Sequence, residues 1–182
     1  MIFNMRKINK IGVIGAGSWG TTLAVLIAEK GYDVALWSRE DTTAQAIIRE
    51  GENRQYLPGI KIPNNVSVES SILDATANAN LIINAVPAQF TREIAKKYSK
   101  NINCDFVVNA AKGIEINTFK RMSQVLGEEL PNNVSIVTLS GPNHAKEVSR
   151  KMPTATVIAS ENADCLNDIK KIFHTSHFRV FV

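Results

Sequence analysis

Lys10-Ile11-Gly12-Val13-Ile14 runs directly into Gly15-Ala16-Gly17-Ser18-Trp19-Gly20, and then into Thr21-Thr22-Leu23-Ala24-Val25-Leu26-Ile27. The first five residues form a short apolar run and predict a strand. Ser18–Lys30 carries Leu23, Leu26 and Ile27 at helical spacing and predicts an amphipathic helix. Between the two lies G-x-G-x-x-G, a pattern that is weak alone but informative directly after a strand and at the mouth of a helix. In that setting Gly15 permits the tight turn, Gly17 lets the backbone approach a pyrophosphate, and Gly20 lets helix and strand pack closely. The helix start then aims free N–H groups and a positive dipole end at the phosphates.

The same alternation continues outward from this unit. Tyr32–Trp37 reads as a strand, and Asp41 caps a helix through Glu50. Leu57–Asn65 holds Pro58, Gly59 and Pro63 and reads as irregular, followed by a short strand near Val66–Val68. Leu81–Val86 is an apolar strand ended by Pro87, which has no N–H for a ladder. Phe90, Ile94 and Tyr98 recur on one helical face, and Phe106–Ala110 is again a strand. Asn117 is placed to cap a helix whose inner stripe is Phe119, Met122, Val125, Leu126 and Leu130. Val134–Leu139 reads as a strand, then a turn at Gly141-Pro142 leads to a short helix near Asn143. Thr154–Ala159, a helix carrying Leu166, Ile169, Ile172 and Phe173, and Phe178–Val182 complete the series.

Strands alternating with helices predict an α/β, Rossmann-like, mostly parallel sheet with helices on both faces. The apolar strand runs fit strands buried on both sides. At 182 residues the chain is expected to form one domain, 1–182. Hydrophobic residues at 45% and charged residues at 21% exclude a disordered chain. No stretch reaches the roughly 20 apolar residues of a membrane span. Met1–Lys10 lacks a secretory signal, and Cys104 and Cys165 are the only cysteines, so a reducing, cytoplasmic setting is expected. The net charge of +4 is scattered, its densest group being Arg92, Lys96 and Lys97 on what reads as a solvated face. With 7% aromatics this argues against nucleic acid and fits a small phosphorylated ligand better.

Ligands of such sheets bind beyond the carboxyl ends of the strands, which selects the candidate residues. Trp19 stands inside the glycine turn and reads as a wall of the cleft. Where a carboxylate for the ribose hydroxyls is usual, this chain has Trp37-Ser38-Arg39. Arg39 pairs well with a 2′-phosphate and Ser38 can donate to it, which favours NADP(H); Glu40 follows at once and keeps NAD(H) open. Lys112, at the rim after Phe106–Ala110, is suited to a phosphate or a carbonyl. Ser140-Gly141-Pro142-Asn143-His144 is a second strand-to-helix turn with N–H groups for an anion. His144 has only Glu147 nearby and reads as structural, and His174 and His177 lack metal-ligand companions.

Six segments in order carry a family resemblance: Gly15–Ala24, Tyr56–Gly59 (Tyr-Leu-Pro-Gly), Ala85–Phe90 (Ala-Val-Pro-Ala-Gln-Phe), Ala111–Glu115 (Ala-Lys-Gly-Ile-Glu), Ser140–Ala145 (Ser-Gly-Pro-Asn-His-Ala) and Pro153–Ala155. From about Ile8 to Val182 the chain resembles bacterial NAD(P)-dependent glycerol-3-phosphate dehydrogenase. The resemblance implies hydride transfer between a nicotinamide cofactor and the pair dihydroxyacetone phosphate and sn-glycerol 3-phosphate, feeding phospholipid synthesis. It implies cofactor contacts at Ser18, Trp19, Arg39, Tyr56, Phe90, Lys112 and Ala145, and substrate contacts at Lys112, Gly141 and Asn143. Asn143 departs from the Ser or Thr of many members, although an amide still donates to a phosphate or hydroxyl.

The resemblance also implies a helical substrate domain beyond Val182, carrying the lysine that serves as general acid–base. No catalytic residue is therefore expected within these 182 residues. The alternative to half of a dehydrogenase is a dinucleotide-binding module without catalysis of its own. A different two-domain dehydrogenase, acting on a sugar acid or hydroxy acid, would leave Lys112-Gly113 and Ser140–Asn143 to coincidence. If a helical domain covers Pro153–Val182 in the family, the isolated chain is expected to be sticky or a homodimer.

Overall fold

The computed structural model describes residues 8–182; part of the stretch read for a secretory signal, residues 1–7, lies outside them. Eight strands form one sheet in the order β3-β2-β1-β4-β5-β6-β7-β8. They are β1 Lys10–Ile14, β2 Asp33–Trp37, β3 Val66–Glu69, β4 Leu81–Asn84, β5 Phe106–Asn109, β6 Ser135–Ser140, β7 Thr154–Ser160 and β8 Phe178–Phe181. The helices are α1 Ser18–Ala28, α2 Asp41–Glu50, α3 Ile72–Thr76, α4 Thr91–Tyr98, α5 Met122–Glu129, α6 Ala145–Ser149 and α7 Leu166–Phe173. All neighbouring strands are parallel except β6 and β7, where Leu139 pairs antiparallel with Ile158. The expected Rossmann-like, mostly parallel sheet is therefore the observed one.

One helical layer holds α1, α6 and α7, the other α3, α4 and α5. The first core joins Ile11, Val13, Leu23, Ile27 and Leu36 to Ile169, Phe173 and Phe178. The second joins Ile14, Ala35, Ile82 and Val107 to Ile94, Tyr98 and Leu126. Each fully buried Leu, Ile or Phe contributes about 1.5–3 kcal/mol. Alternate residues of β1 and β5 feed opposite cores, which is why their sequences are apolar throughout.

The strand order reverses between the parallel neighbours β1 and β4, the switch point where such sheets open a crevice. Register places Ile14, Trp37, Asn84, Asn109 and Thr138 in one row at the carboxyl edge. The loops carrying the candidate residues leave from that row, except that of Tyr56, which lies between α2 and β3.

Several expectations need correction. β7 and β8 are not buried on both faces: Ala155, Val157 and Phe181 are exposed while their neighbours are buried, because α7 covers one side only. The Asn117-capped helix does not form. α5 begins at Met122 behind Arg121, and Phe119 is exposed with φ 56°. A local loop closure overrides the helical periodicity there: Ile114 bridges to Arg121, and Glu115 N–H donates to the Lys120 carbonyl. α3, capped by the Ser71 hydroxyl, was not legible in a five-residue stretch. Glu40 rather than Asp41 occupies the cap position of α2, and α6 starts at Ala145 rather than at Asn143. Arg92 is no solvated charge, since it is three-quarters buried among Glu115, Glu128 and Glu129.

Candidate functional site

A cleft of about 600 Å³ opens above the switch point. Gly15, Gly17, Ser18, Trp19, Ser38, Arg39, Tyr56, Phe90, Lys112, Asn143 and Ala145 all line it. Gly20 and Gly141 do not. Gly20 lies beneath the turn, where a Cβ would come within 1.8 Å of the Gly15 carbonyl oxygen, so its lack of a side chain is a packing requirement. Gly141 faces an adjoining concavity of about 1120 Å³, which shares Lys112 and Ala111 with the cleft.

The glycine turn tests whether a dinucleotide fits. Gly15 has φ +117°, a conformation that L side chains rarely adopt. Gly17 has φ −72°, and a Cβ there would meet nothing within 4 Å. Nothing inside the chain demands glycine at 17, so the space beside it is the cradle that a methyl would fill. The first turn of α1 has no side-chain cap, which leaves its N–H groups directed at that cradle.

Asn53 holds this turn in place and was missed in the sequence. It is buried, its Nδ2 donates to the Ala16 carbonyl and the Thr21 hydroxyl, each at 2.8 Å, and its Oδ1 accepts the Tyr56 N–H. Its only signal was its place three residues before Tyr56. The same asparagine thus orders the turn and the loop bringing Tyr56 to the cleft.

At the β2 end Arg39 stacks on Phe90 with its guanidinium carbon 5.1 Å from the ring centroid. Ser38 is buried and its hydroxyl donates to the Glu40 carbonyl at 3.0 Å, so the hydroxyl hydrogen is committed within the chain. Trp19 lines the cleft as expected and also packs on Phe178, with ring centroids 6.4 Å apart. Trp37 is a second indole in the lining.

At the β5 end the Lys112 ammonium donates to the carbonyls of Gly141 at 3.0 Å and Asn143 at 3.3 Å, joining the two turns. The second turn is less available to an anion than expected, because the Asn143 N–H closes on the Gly141 carbonyl. Asn143 is 6% exposed; its Nδ2 donates to the Ala155 carbonyl at 2.8 Å, while Oδ1 has no protein partner among the described residues. With Nδ2 committed and Oδ1 buried, the side chain does not offer the cleft the donor that its chemistry first suggested. Beneath Lys112, Asn84 donates to Asn109 Oδ1 at 3.2 Å, and Asn109 exchanges hydrogen bonds with Ala111. His144 lines the cleft, and no group of three potential metal ligands occurs among the described residues.

A switch-point cleft, a glycine turn and an uncapped helix start define a dinucleotide-binding α/β unit. Residues 10–166 match the family described as NAD-dependent glycerol-3-phosphate dehydrogenase N-terminus, and the chain belongs to that family. It is 44% identical over 176 residues to a glycerol-3-phosphate dehydrogenase [NAD(P)+] of Chlorobium phaeobacteroides, covering 95% of this chain and 53% of that protein. It is 45% identical over 174 residues to one of Chlorobium limicola, covering 94% and 52%. The crystal structure of glycerol-3-phosphate dehydrogenase from Coxiella burnetii superposes with a TM-score of 0.89 at 30% identity, over 95% of this chain and 53% of that one. The chain therefore spans about half the length of the relatives it matches.

Proposed function

We propose that this chain is the cofactor-binding part of an enzyme interconverting dihydroxyacetone phosphate and sn-glycerol 3-phosphate. The observation that carries it is the Lys112 ammonium, held where the β5 and β6 turns meet and shared by both concavities. Arg39 lies at the β2 end of the same cleft, three strand spacings away, or roughly 14 Å at about 4.8 Å each. A dinucleotide laid along that line puts its adenosine ribose at Arg39, its pyrophosphate on the α1 N-terminus and its nicotinamide toward Lys112. The nicotinamide, when bound, supplies the hydride.

The chain's own residues bind and orient. The Gly17–Ser18 backbone faces the pyrophosphate, and Trp19 and Ala145 wall the cleft. Lys112 offers positive charge to a phosphorylated three-carbon substrate, with Gly141 and Asn143 beside it. Reduction of a ketone also requires a proton donor at the carbonyl oxygen; the resemblance assigns it to a lysine beyond these 182 residues.

We further propose a preference for NADP(H) over NAD(H). Arg39 is the charge available to a 2′-phosphate, and Ser38, its hydroxyl hydrogen already committed, plays the smaller part. Calorimetric titration with NADPH and NADH tests the cofactor reading and the preference. Binding of both, with NADPH tighter and the difference abolished by Arg39→Gln, is the expected result. Equal affinities would overturn the preference, and no binding of either by the folded chain would overturn the cofactor reading itself.

A further inference from the structure

Ala85–Phe90 and Ala111–Glu115 stand apart in the sequence but grip one another in the fold. Gln89 belongs to the short 3-10 turn Ala88–Phe90, between Pro87 and Phe90, which line the cleft. Its own side chain turns away from the cleft. Gln89 Nε2 donates to the Ile114 carbonyl at 2.8 Å, and Oε1 accepts the Ile116 N–H at 3.0 Å. Both ends of one planar amide are thus fixed on alternate residues of a single segment, two residues past Lys112.

The segment is held at the other side of Lys112 as well. Asn109 Nδ2 donates to the Ala111 carbonyl at 3.1 Å, and the Ala111 N–H donates to Asn109 Oδ1 at 3.3 Å. Between these anchors lies Gly113, with φ +114° and a hypothetical Cβ only 3.3 Å from the Ala88 side chain. A lysine has four rotatable side-chain bonds, so its ammonium stays at two carbonyls only if its Cα is well placed.

We propose that Gln89 is a positioning residue for Lys112: it ties the loop carrying the lysine to the Pro87–Phe90 wall, so that the ammonium is delivered to the carbonyls of Gly141 and Asn143. Its importance for binding rests on the function proposed above, but the geometric claim stands without any ligand. Gln89 is exposed and adds little to the core, so a substitution acts on the loop and not on the fold.

Trace acetylation of the folded chain by acetic anhydride, without cofactor, reads the device directly. Peptide mass spectrometry gives the rate at Lys112 relative to the exposed Lys100 and Lys146. An amine engaged with two carbonyls must leave them before it can attack the reagent, so its release speeds labelling. Gln89→Ala is expected to raise the relative Lys112 rate about threefold or more, as for the loss of one hydrogen bond's worth of positioning. Gln89→Glu keeps the acceptor for Ile116, loses the donor to Ile114, and is expected to raise it by less. An unchanged Lys112 rate in folded Gln89→Ala overturns the proposal, as does an equal rise at all three lysines. Should the alanine variant fail to fold, the same criteria apply to Gln89→Glu. Because no cofactor is present, failure here is distinct from failure of the dinucleotide proposal, which the titrations measure.

Discussion

Gly17→Ala separates folding from binding at the glycine turn. With φ −72° and nothing within 4 Å of the added methyl, the chain accepts alanine without a clash. A small loss at the helix cap is offset by reduced freedom of the unfolded chain, each effect being about 0.5–1 kcal/mol. Stability is therefore expected within about 1 kcal/mol of the parent, or about 2–4 °C for a chain of this size. The methyl fills the cradle above α1, where displacing a phosphate from two charge-assisted hydrogen bonds costs about 3 kcal/mol, roughly 150-fold in affinity. Thermal unfolding with and without NADPH measures both quantities. At 100 times its Kd the nucleotide stabilises the parent by about 2.7 kcal/mol, a rise of roughly 5–11 °C. At the same concentration the variant retains about 0.3 kcal/mol, or roughly 1 °C. Trp19 and Trp37 are the only tryptophans and both line the cleft, so energy transfer to the reduced nicotinamide gives an independent titration. A Gly17→Ala chain that binds NADPH as well as the parent would refute the placement of the pyrophosphate.

Three further expectations follow from the structure. Tyr98 is fully buried, its hydroxyl has no protein partner among the described residues, and burial pushes its pKa up; Tyr98→Phe should therefore stabilise by about 1 kcal/mol in urea unfolding, and a loss of that size would reveal a partner for the hydroxyl. The Arg92 guanidinium, with help from the Thr118 hydroxyl, holds Glu115 at about 2, below its unfolded value, so its contribution is full above that unfolded value near 4.5 and is lost as pH falls through about 2. Unfolding curves between pH 6 and pH 2 should show Arg92→Met losing less stability on acidification than the parent, and parallel curves would contradict this linkage. Finally, Val157 and Phe181 expose apolar surface on the face of the sheet that α7 leaves open; the isolated chain should self-associate with rising concentration and Phe181→Lys should reduce it, whereas a sedimentation run showing a monomer throughout would count against that surface.

The strand, turn and helix from Lys10 to Ala28 could be read directly because their causes are local. An apolar run, a turn that only glycine accommodates and a repeat of helical spacing each lie within a few residues. The same holds for β4, β5 and the stripe of α7; of the eleven candidate residues that meet in one cleft, Tyr56 and Ala145 were named only by the family resemblance. The position of Lys112 at a strand end was equally legible, since register aligns the carboxyl ends of parallel strands. Its partners were not, because the carbonyls of Gly141 and Asn143 lie on another turn.

Tertiary structure decided what depends on partners distant in sequence. Arg92 belonged by composition to a basic helical face, yet its carboxylates come from residues 23 to 37 positions later. Asn53 looked like an ordinary loop residue until it met the glycine turn 37 positions earlier. Phe119 fitted a helical stripe, but a competing closure of Ile114 on Arg121, only seven positions away, left it in solvent, so there a nearby backbone pairing and not a distant partner decided. The antiparallel seam of β6 and β7 has the same origin, since strand direction is set by pairing and leaves no mark in either strand's composition. Propensity and periodicity act over one or two turns of chain and wrote the framework into the sequence. Hydrogen bonds and charges act across space, so the fine placement of the site existed only once the chain had folded.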